Sequence, residues 1–279
     1  MKSNSIAVLM SCYNRKQKTL DCLADLFSQV LPDTVNLTVY LVDDGSTDGT
    51  SEAVEQAYPN VKILHGDGNL FWNGGMRWAF AEAMKSDCDY YLWLNDDTLL
   101  YPQALNTLLA TERRLAEQGH LRTIIVGSAC DPETGKLTYG GMVQSSWWHP
   151  LKFQLVEPSE QPQPCHTFNG NCVLLPRSVV EIVGNLDEAF KHRVGDLDYG
   201  LRSLRQGCTI WVDPYYVGTC PRNINQPLRL RLEKLAQPKG LPPQEWKIFS
   251  SRHAGLFWPI YWLLPYIRLR LLSALGRED

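Results

Sequence analysis

Between Ile6 and about Asp97, short β-branched or aromatic runs alternate with segments whose apolar residues recur at helical spacing. This alternation constrains the fold more than any other feature, because strands separated by helices form βαβ units and hence a parallel sheet. The expected strands are Ile6–Met10, Leu37–Val42, Val61–Leu64 and Tyr90–Leu94. Leu20, Leu23, Phe27 and Val30 mark one helix, and Met76, Ala79, Phe80 and Ala83 mark another after Gly74-Gly75, both packing on one sheet. A further helix is expected from Pro102 to about Gln118, stopped at Gly119, and then a strand over Ile124–Ser128. Asp131–Lys136 reads as a turn between two antiparallel segments and Gln161–Pro164 as a loop. There is no internal repeat and no interdomain linker.

A chain of 279 residues that is 44% hydrophobic can bury a large core and is too apolar for disorder. Its net charge of -3 lacks the basic field that a nucleic-acid backbone requires, so nucleic acid is excluded as an expected partner. A small anionic substrate stays open, since a local site need not follow net charge. The cysteines Cys12, Cys22, Cys88, Cys130, Cys165, Cys172, Cys208 and Cys220 contain no C-x-x-C pair, which is neither a zinc pattern nor a compact disulfide framework. Met1–Ser5 leads directly into the first apolar run, without the apolar core of a signal peptide, so the expectation is a cytoplasmic protein with reduced thiols.

In an open α/β sheet, ligands bind beyond the carboxyl ends of the strands, where helix N-termini and loop N–H groups point. Two acidic clusters fall there: Asp43-Asp44-Gly45-Ser46-Thr47-Asp48-Gly49 after the second strand, and Asn95-Asp96-Asp97 after the fourth. Carboxylate pairs at neighbouring strand ends repel one another unless a cation or a hydrogen-bonding ligand lies between them. A capping turn is the alternative reading of Asp43-Asp44. The glycines of 66–75 form neither a P-loop nor a G-x-G-x-x-G turn.

These segments, with Ser11-Cys12-Tyr13-Asn14-Arg15 and Gly195-Asp196-Leu197-Asp198-Tyr199-Gly200-Leu201-Arg202, resemble glycosyltransferase family 2 over roughly residues 5 to 225. The resemblance implies a GT-A-type, Rossmann-like mixed sheet flanked by helices, α/β in class, forming a single catalytic domain. It implies donor contacts from Ser11, Tyr13, Asn14, Arg15, Asp43, Asp44, Gly74, Gly75, Asn95 and Asp96. Arg77 is an added candidate, with a solvated helix position as its alternative. Asp97, helped by Asp96, stands where the family holds a divalent cation, and oxygen ligands suit Mn²⁺ or Mg²⁺. Asn169, Gly170 and Asn171 stand on the acceptor side of the cleft.

Breaking an anomeric bond releases a nucleoside diphosphate, whose charge must be stabilised, while the acceptor hydroxyl loses a proton to a base. Asp196 is the expected base and Asp198 the second choice, with helix capping as the alternative for both; many relatives carry an acid at the position of Gly195. Cys220 stands where many relatives place a metal-binding histidine, and a thiolate suits Mg²⁺ or Mn²⁺ poorly, so it is not counted as a ligand. Trp147, Trp148 and His149 fit either sugar stacking or an aromatic cluster.

Residues 1–225 are thus read as the catalytic domain, nucleotide half about 1–100 and acceptor half about 101–225, and 226–279 as an aromatic helical tail. Within the tail, Ala254–Ile267 carries no charge and includes Phe257, Trp258, Tyr261, Trp262 and Tyr266. Its 14 residues are fewer than the roughly 20 that span a bilayer. With Arg252, Arg268 and Arg270 flanking it, the segment either lies peripherally on the inner face of the cell membrane or packs on the core or a second subunit.

The function expected is metal-dependent, inverting transfer of a sugar from a nucleotide-sugar donor, UDP- or dTDP-linked by resemblance, to a glycan or lipid-linked acceptor in polysaccharide synthesis. A nucleotidyltransferase and a non-catalytic sugar-binding protein are the alternatives.

Overall fold

The computed structural model describes residues 4–222 and 227–275. Its first third carries out the alternation: β1 (Asn4–Cys12), α1 (Lys16–Phe27), β2 (Val35–Asp43), α2 (Thr50–Ala57), β3 (Lys62–His65), α3 (Phe71–Ala83) and β4 (Tyr90–Leu94). The four strands are parallel, in spatial order β4-β1-β2-β3. There follow β5 (Leu99–Leu100), α4 (Ala104–Glu117), β6 (Thr123–Cys130), β7 (Leu137–Tyr139), β8 (Gly141–Gln144), β9 (Phe153–Leu155), β10 (Gln163–Pro164) and β11 (Thr167–Phe168). Next come β12 (Cys172–Pro176), α5 (Arg177–Val183), α6 (Gly195–Arg205) and β13 (Thr209–Thr219). β12 runs antiparallel between β4 and β6, and β13 lies parallel to β6, so the main sheet is mixed. β11, β8 and β9 make a small antiparallel sheet. The helices α7 (Leu228–Glu233), α8 (Pro243–His253) and α9 (Trp258–Ala274) complete the described chain.

Side chains alternate along β1: Ala7 and Leu9 enter a core under α3, α5 and α6, while Ile6, Val8 and Met10 enter one under α1, α2 and α4. The two expected helices therefore pack on opposite faces of the sheet. Trp93 is fully buried between the rings of Phe80, Phe168 and Tyr199, at centroid distances of 6.0, 5.9 and 4.9 Å.

Four details differ from the sequence reading. Val30 lies beyond α1 and is 55% exposed. α4 begins at Ala104, because Pro102 sits in the preceding turn, while Gly119 ends it with φ +94°. Gln163 and Pro164 form an edge strand against Val212 and Trp211, a place that tolerates a proline. Gly74 and Gly75 lie inside α3, where a Cβ on Gly75 would stand 2.1 Å from Ser11 Oγ, so the glycine lets α3 approach β1.

The C-terminal helices join the body through a third cluster, in which Phe249 and Ala254 meet Phe190, with Leu197, Leu201, Trp246 and Trp258 around them. Beneath it lies Asp198, fully buried, its carboxylate held by Arg202 Nε at 2.8 Å, Arg252 Nη1 at 3.2 Å and His253 Nε2 at 2.8 Å. α8 is thereby tied to α6 by buried charge. Burial pushes the Asp198 carboxyl up, but hydrogen bonds from His253 and Arg202 outweigh it and hold the group below its ordinary value. Burial also lowers His253, against the pull of Asp198.

Both shifts make acid destabilising. The lowered Asp198 contributes stability that is complete above the ordinary carboxylate range and lost as pH falls through its folded value. The unfolded chain protonates His253 near its ordinary 6.5 while the folded chain resists, so stability declines as pH drops below about that value. Urea midpoints measured from pH 7 to 4 are expected to fall, and His253→Gln is expected to flatten the part between about pH 6.5 and 5. An unchanged slope in that variant contradicts this assignment.

Candidate active site

The loops after β1, β2 and β4 converge with the N-terminal ends of α3 and α6. Asp43 and Asp44 are both 3% exposed, and the chain's own donors occupy them. Asp43 accepts the Ser46 amide at 2.9 Å and the Ser51 hydroxyl. Asp44 accepts three amides, from Gly68 at 3.0 Å, Leu70 at 3.2 Å and Phe71 at 2.9 Å. It thus caps α3 from across the sheet, which is the capping alternative, but directed at a helix some 25 residues further on rather than at α2. Asn14 links the first two loops: its amide donates to Ser46 Oγ at 2.8 Å and its Oδ1 accepts the Thr47 amide at 2.7 Å. Tyr13 is 49% exposed beside it.

At the end of β4, one guanidinium nitrogen of Arg15 bridges both acids, 2.9 Å from Asp96 Oδ1 and 2.8 Å from Asp97 Oδ2. Burial pushes Asp96 up to about 6, against the attraction of Arg15. Its Oδ2 is buried without a hydrogen-bond partner. Asn95, in place of a third acid, accepts the Trp72 indole N–H at 2.7 Å through Oδ1. Cys220 Sγ lies 3.7 Å from Asp97 Oδ1 and 3.6 Å from Asn171 Nδ2, and burial and Asp97 raise its thiol to about 12, so it is a neutral neighbour of the acids.

No group of three or more His, Cys, Asp or Glu side chains that could hold a metal occurs among the described residues. Two carboxylates still fit a hard cation of the Mg²⁺ type, which takes one or two of them and completes its shell with substrate phosphates and water. The orphaned Asp96 Oδ2 is a ligand atom of the right kind.

β12 carries the acceptor-side segment to this point. The Asn95 amide donates to the Asn171 carbonyl at 2.9 Å, and the Gly170 amide donates to Asp196 Oδ2 at 3.1 Å. A Cβ on Gly170 would stand 2.5 Å from the Trp72 ring, so only glycine fits. Asn169 donates its amide to the Gly140 carbonyl at 3.0 Å. Asp196, in the first turn of α6, is half-buried, and burial raises its carboxyl. Gly195 is a packing requirement: a Cβ there would lie 1.9 Å from Asn73 Oδ1, and Asn73 is locked by donating to the carbonyls of Asp187 and Phe190.

Two expected site residues lie elsewhere. Asp198 faces Arg202, Arg252 and His253, so its carboxylate is committed to holding α8 and has no exposed surface for a substrate proton. Arg77 is exposed on α3 and pairs with Glu188 at 3.5 Å, which is its solvated-helix alternative.

The sequence reading also missed residues. Trp72 orients Asn95, and its place beside Asn73-Gly74-Gly75 was the available signal. His192 packs edge-on to Phe71 and is pushed down to about 4 by burial and by Lys239, Arg193 and Arg15, which marks a positive region next to the acids. Asn14, Phe71 and Val194 are the non-glycine residues with positive φ among those described, and all three flank this site. Such strain concentrates where a binding surface over-determines the backbone.

The profile of the family described as Glycosyl transferase family 2 matches residues 7–183. The chain belongs to glycosyl transferase family 2. Its relatives include the N-acetylglucosaminyl-diphospho-decaprenol L-rhamnosyltransferase of Mycobacterium tuberculosis, 29% identical over 204 residues that cover 64% of each chain. The galactofuranosyltransferase GlfT2 of Mycolicibacterium smegmatis is 26% identical over 231 residues, 73% of this chain and 35% of that protein. The chain thus spans less than two thirds of the curated relatives it matches. Among solved structures, the Pyrobaculum calidifontis mannosyltransferase PcManGT in complex with GDP-Man and Mn²⁺ superposes with a TM-score of 0.56 at 15% identity, over 88% of this chain and 64% of that one. TarS 1-349 of S. aureus in complex with UDP-GlcNAc gives 0.56 at 15% identity, over 90% and 71%. These likenesses show the GT-A fold, in a single domain.

Within this family 2 chain, the geometry makes Asp44 a stability residue whatever its contact with a ligand. Asp44→Ala leaves three partly buried amides without their acceptor and is expected to lower unfolding free energy by about 1–3 kcal/mol. A variant with the wild-type urea midpoint contradicts that role.

Proposed function

We propose that the protein is an inverting glycosyltransferase that moves one sugar from a nucleoside-diphosphate donor to a hydroxyl of a lipid-linked glycan. The observation that carries this reading is the linkage of two chemically different acids. The Asp96–Asp97 pair meets Arg15 at the end of β4, and the short segment 169–171 connects it to Asp196 at the start of α6. With a divalent cation bound, the first would suit an anionic leaving group, and the second is placed to take the proton of the acceptor hydroxyl.

Ser11, Tyr13, Asn14, Arg15, Asp43, Asp44, Gly74, Gly75 and Asn95 form the donor side. The loops that Asp43, Asp44 and Asn14 brace hold the nucleoside, with exposed Tyr13 free to stack on it. Asp97 and Asp96 would hold a Mn²⁺ or Mg²⁺ ion, which when bound neutralises the charge that develops on the diphosphate. Arg15, together with the positive potential around His192, favours the same charge. On the acceptor side, Asn169, Gly170 and Asn171 line the approach to Asp196. Asp196 takes the acceptor proton as the hydroxyl oxygen bonds to the anomeric carbon and the bond to the diphosphate oxygen breaks. Its raised carboxyl makes it a better proton acceptor than an exposed aspartate.

The lipid-linked acceptor is drawn from what the Mycobacterium tuberculosis relative's name says of that enzyme. It implies work at the inner face of the cell membrane, in polysaccharide synthesis. UDP- and dTDP-linked sugars are the first donors to try.

The test is a panel of nucleotide sugars with an acceptor-lipid extract, reading the released nucleotide. A nucleoside diphosphate is expected; release of pyrophosphate from a nucleoside triphosphate and a sugar 1-phosphate instead indicates a nucleotidyltransferase, and glycan binding without nucleotide binding indicates a non-catalytic protein. With the active donor, Asp196→Asn is expected to lower kcat by about 10²–10⁴ while donor affinity survives. Wild-type kcat in that variant removes Asp196 as the base.

A further inference from the structure

We propose that the open cleft between the loop 145–152 and His166 is a carbohydrate subsite that holds neutral sugar rings of the acceptor glycan beyond the ring being extended. The cleft has a volume of about 450 Å³ and is lined by Gln144, Ser145, Ser146, Trp147, Trp148 and His166. That size suits a small ligand or a short segment of a longer one. Its assignment to the acceptor rests on the reading of Asp196 as the group that meets the acceptor hydroxyl; its chemistry does not.

The aromatic run 147–149 divides in two. His149 turns to the body, its ring 4.8 Å from that of Tyr261. Trp147 and Trp148 are 93% and 58% exposed, so they belong to no aromatic core cluster. Their loop is nevertheless fixed: the Ser145 amide donates to the Lys152 carbonyl at 2.8 Å and the Lys152 amide to the His149 carbonyl at 3.0 Å. The Trp148 carbonyl accepts the Tyr261 hydroxyl, and the Trp148 ring stands edge-on to His149 at 5.7 Å. Two indoles are thus held in water on an ordered backbone. A flat apolar face with an N–H edge is the surface that stacks on the C–H face of a sugar ring.

Polar groups complete the match. The Gln144 amide donates to His166 Nδ1 at 2.9 Å, so the imidazole is neutral and its proton sits on Nε2, a donor on an exposed side chain. The Ser146 hydroxyl accepts the His149 amide at 3.1 Å and keeps its own proton to donate. The exposed Gln144 carboxamide adds both a donor and an acceptor. Sugar hydroxyls both donate and accept, and this mixed edge around two aromatic faces answers them. None of the lining side chains is a carboxylate, an ammonium or a guanidinium, which favours a neutral ring over a phosphate or a charged peptide.

β11 connects the cleft to the site. His166 immediately precedes that strand, its amide donating to the Met142 carbonyl at 2.8 Å; four residues on, the Gly170 amide donates to Asp196 Oδ2. Extended chain rises about 3.3 Å per residue, so the separation is about 13 Å, more than one sugar ring and within a short oligosaccharide. From the other end of the loop, Leu151 shares a cluster with Val194 and Leu197, which flank Asp196. Two segments therefore tie the cleft to the start of α6. A glycan whose accepting hydroxyl meets Asp196 and whose next rings follow β11 reaches the indoles.

The test is ¹H–¹⁵N spectra of the indole N–H groups of the full chain, titrated with neutral di- to pentasaccharides of glucose, galactose, N-acetylglucosamine and rhamnose. The two signals are assigned by their loss in Trp147→Phe and Trp148→Phe. At least one oligosaccharide is expected to shift both. Trp147→Ala with Trp148→Ala is expected to weaken its binding at least about tenfold, read from the sugar's own saturation-transfer signals, with a cooperative melt retained. Gln144→Ala is expected to weaken it as well and decides the matter if the double variant does not fold. The proposal is overturned if no member of the panel shifts either indole in the folded wild type, whether or not lipid vesicles or a second copy do, or if the folded variants bind like wild type. Sugar bound here by a chain that binds no nucleotide contradicts the transferase reading and leaves the subsite standing.

Discussion

Four carboxylates crowd the ends of two parallel strands, and the fold is arranged to keep them there. Asp43, Asp44 and Asp96 are buried and Asp97 is nearly so, a placement that would expel the strand ends into solvent without compensation. The compensation is of two kinds. Asp43 and Asp44 are satisfied by amide and hydroxyl donors, which shape the loops after β2 and begin α3. Asp96 and Asp97 share the Arg15 guanidinium, one atom of Asp96 remaining without a partner. One pair is closed by the chain itself, and the other is left able to meet a ligand.

The same economy extends across the site to α6. Asn73 occupies the space next to Gly195, and Asp198 anchors α8, so the acids of one motif separate into different tasks. Asp196 keeps contact with the cleft through Gly170, while Asp198, two residues on, points into the body. The C-terminal helices consequently support the position of the proposed base, and α9 in turn rests on the cluster that flanks it.

What was legible in the sequence was what local periodicity encodes. β4 has the expected limits, and α3 buries Met76, Ala79, Phe80 and Ala83 as their spacing required. The carboxyl ends of β2 and β4 were recognisable as a candidate site because acids directly after apolar strands need a partner. Long-range partners were not legible. Asp44 answers amides at 68–71, and Asp198 answers Arg252 and His253 more than fifty residues away. Nothing adjacent to Asp196 and Asp198 distinguishes the one facing the cleft from the one facing the core. The left-handed backbone at Phe71 and Val194 is likewise invisible without φ angles, since neither residue type favours it, whereas an asparagine such as Asn14 adopts it readily.

The central claim is that the Arg15-bridged acids at the end of β4 receive a nucleoside diphosphate together with a divalent cation. Calorimetric titration of UDP and dTDP into the protein, with Mn²⁺ and with a chelator, tests it most directly, with Asp97→Asn as the control that keeps the shape and removes the charge. The account predicts that binding of at least one nucleotide requires Mn²⁺ in the wild type and that Mn²⁺ gives no gain in the variant. Equal affinity with and without the metal in the wild type would contradict it.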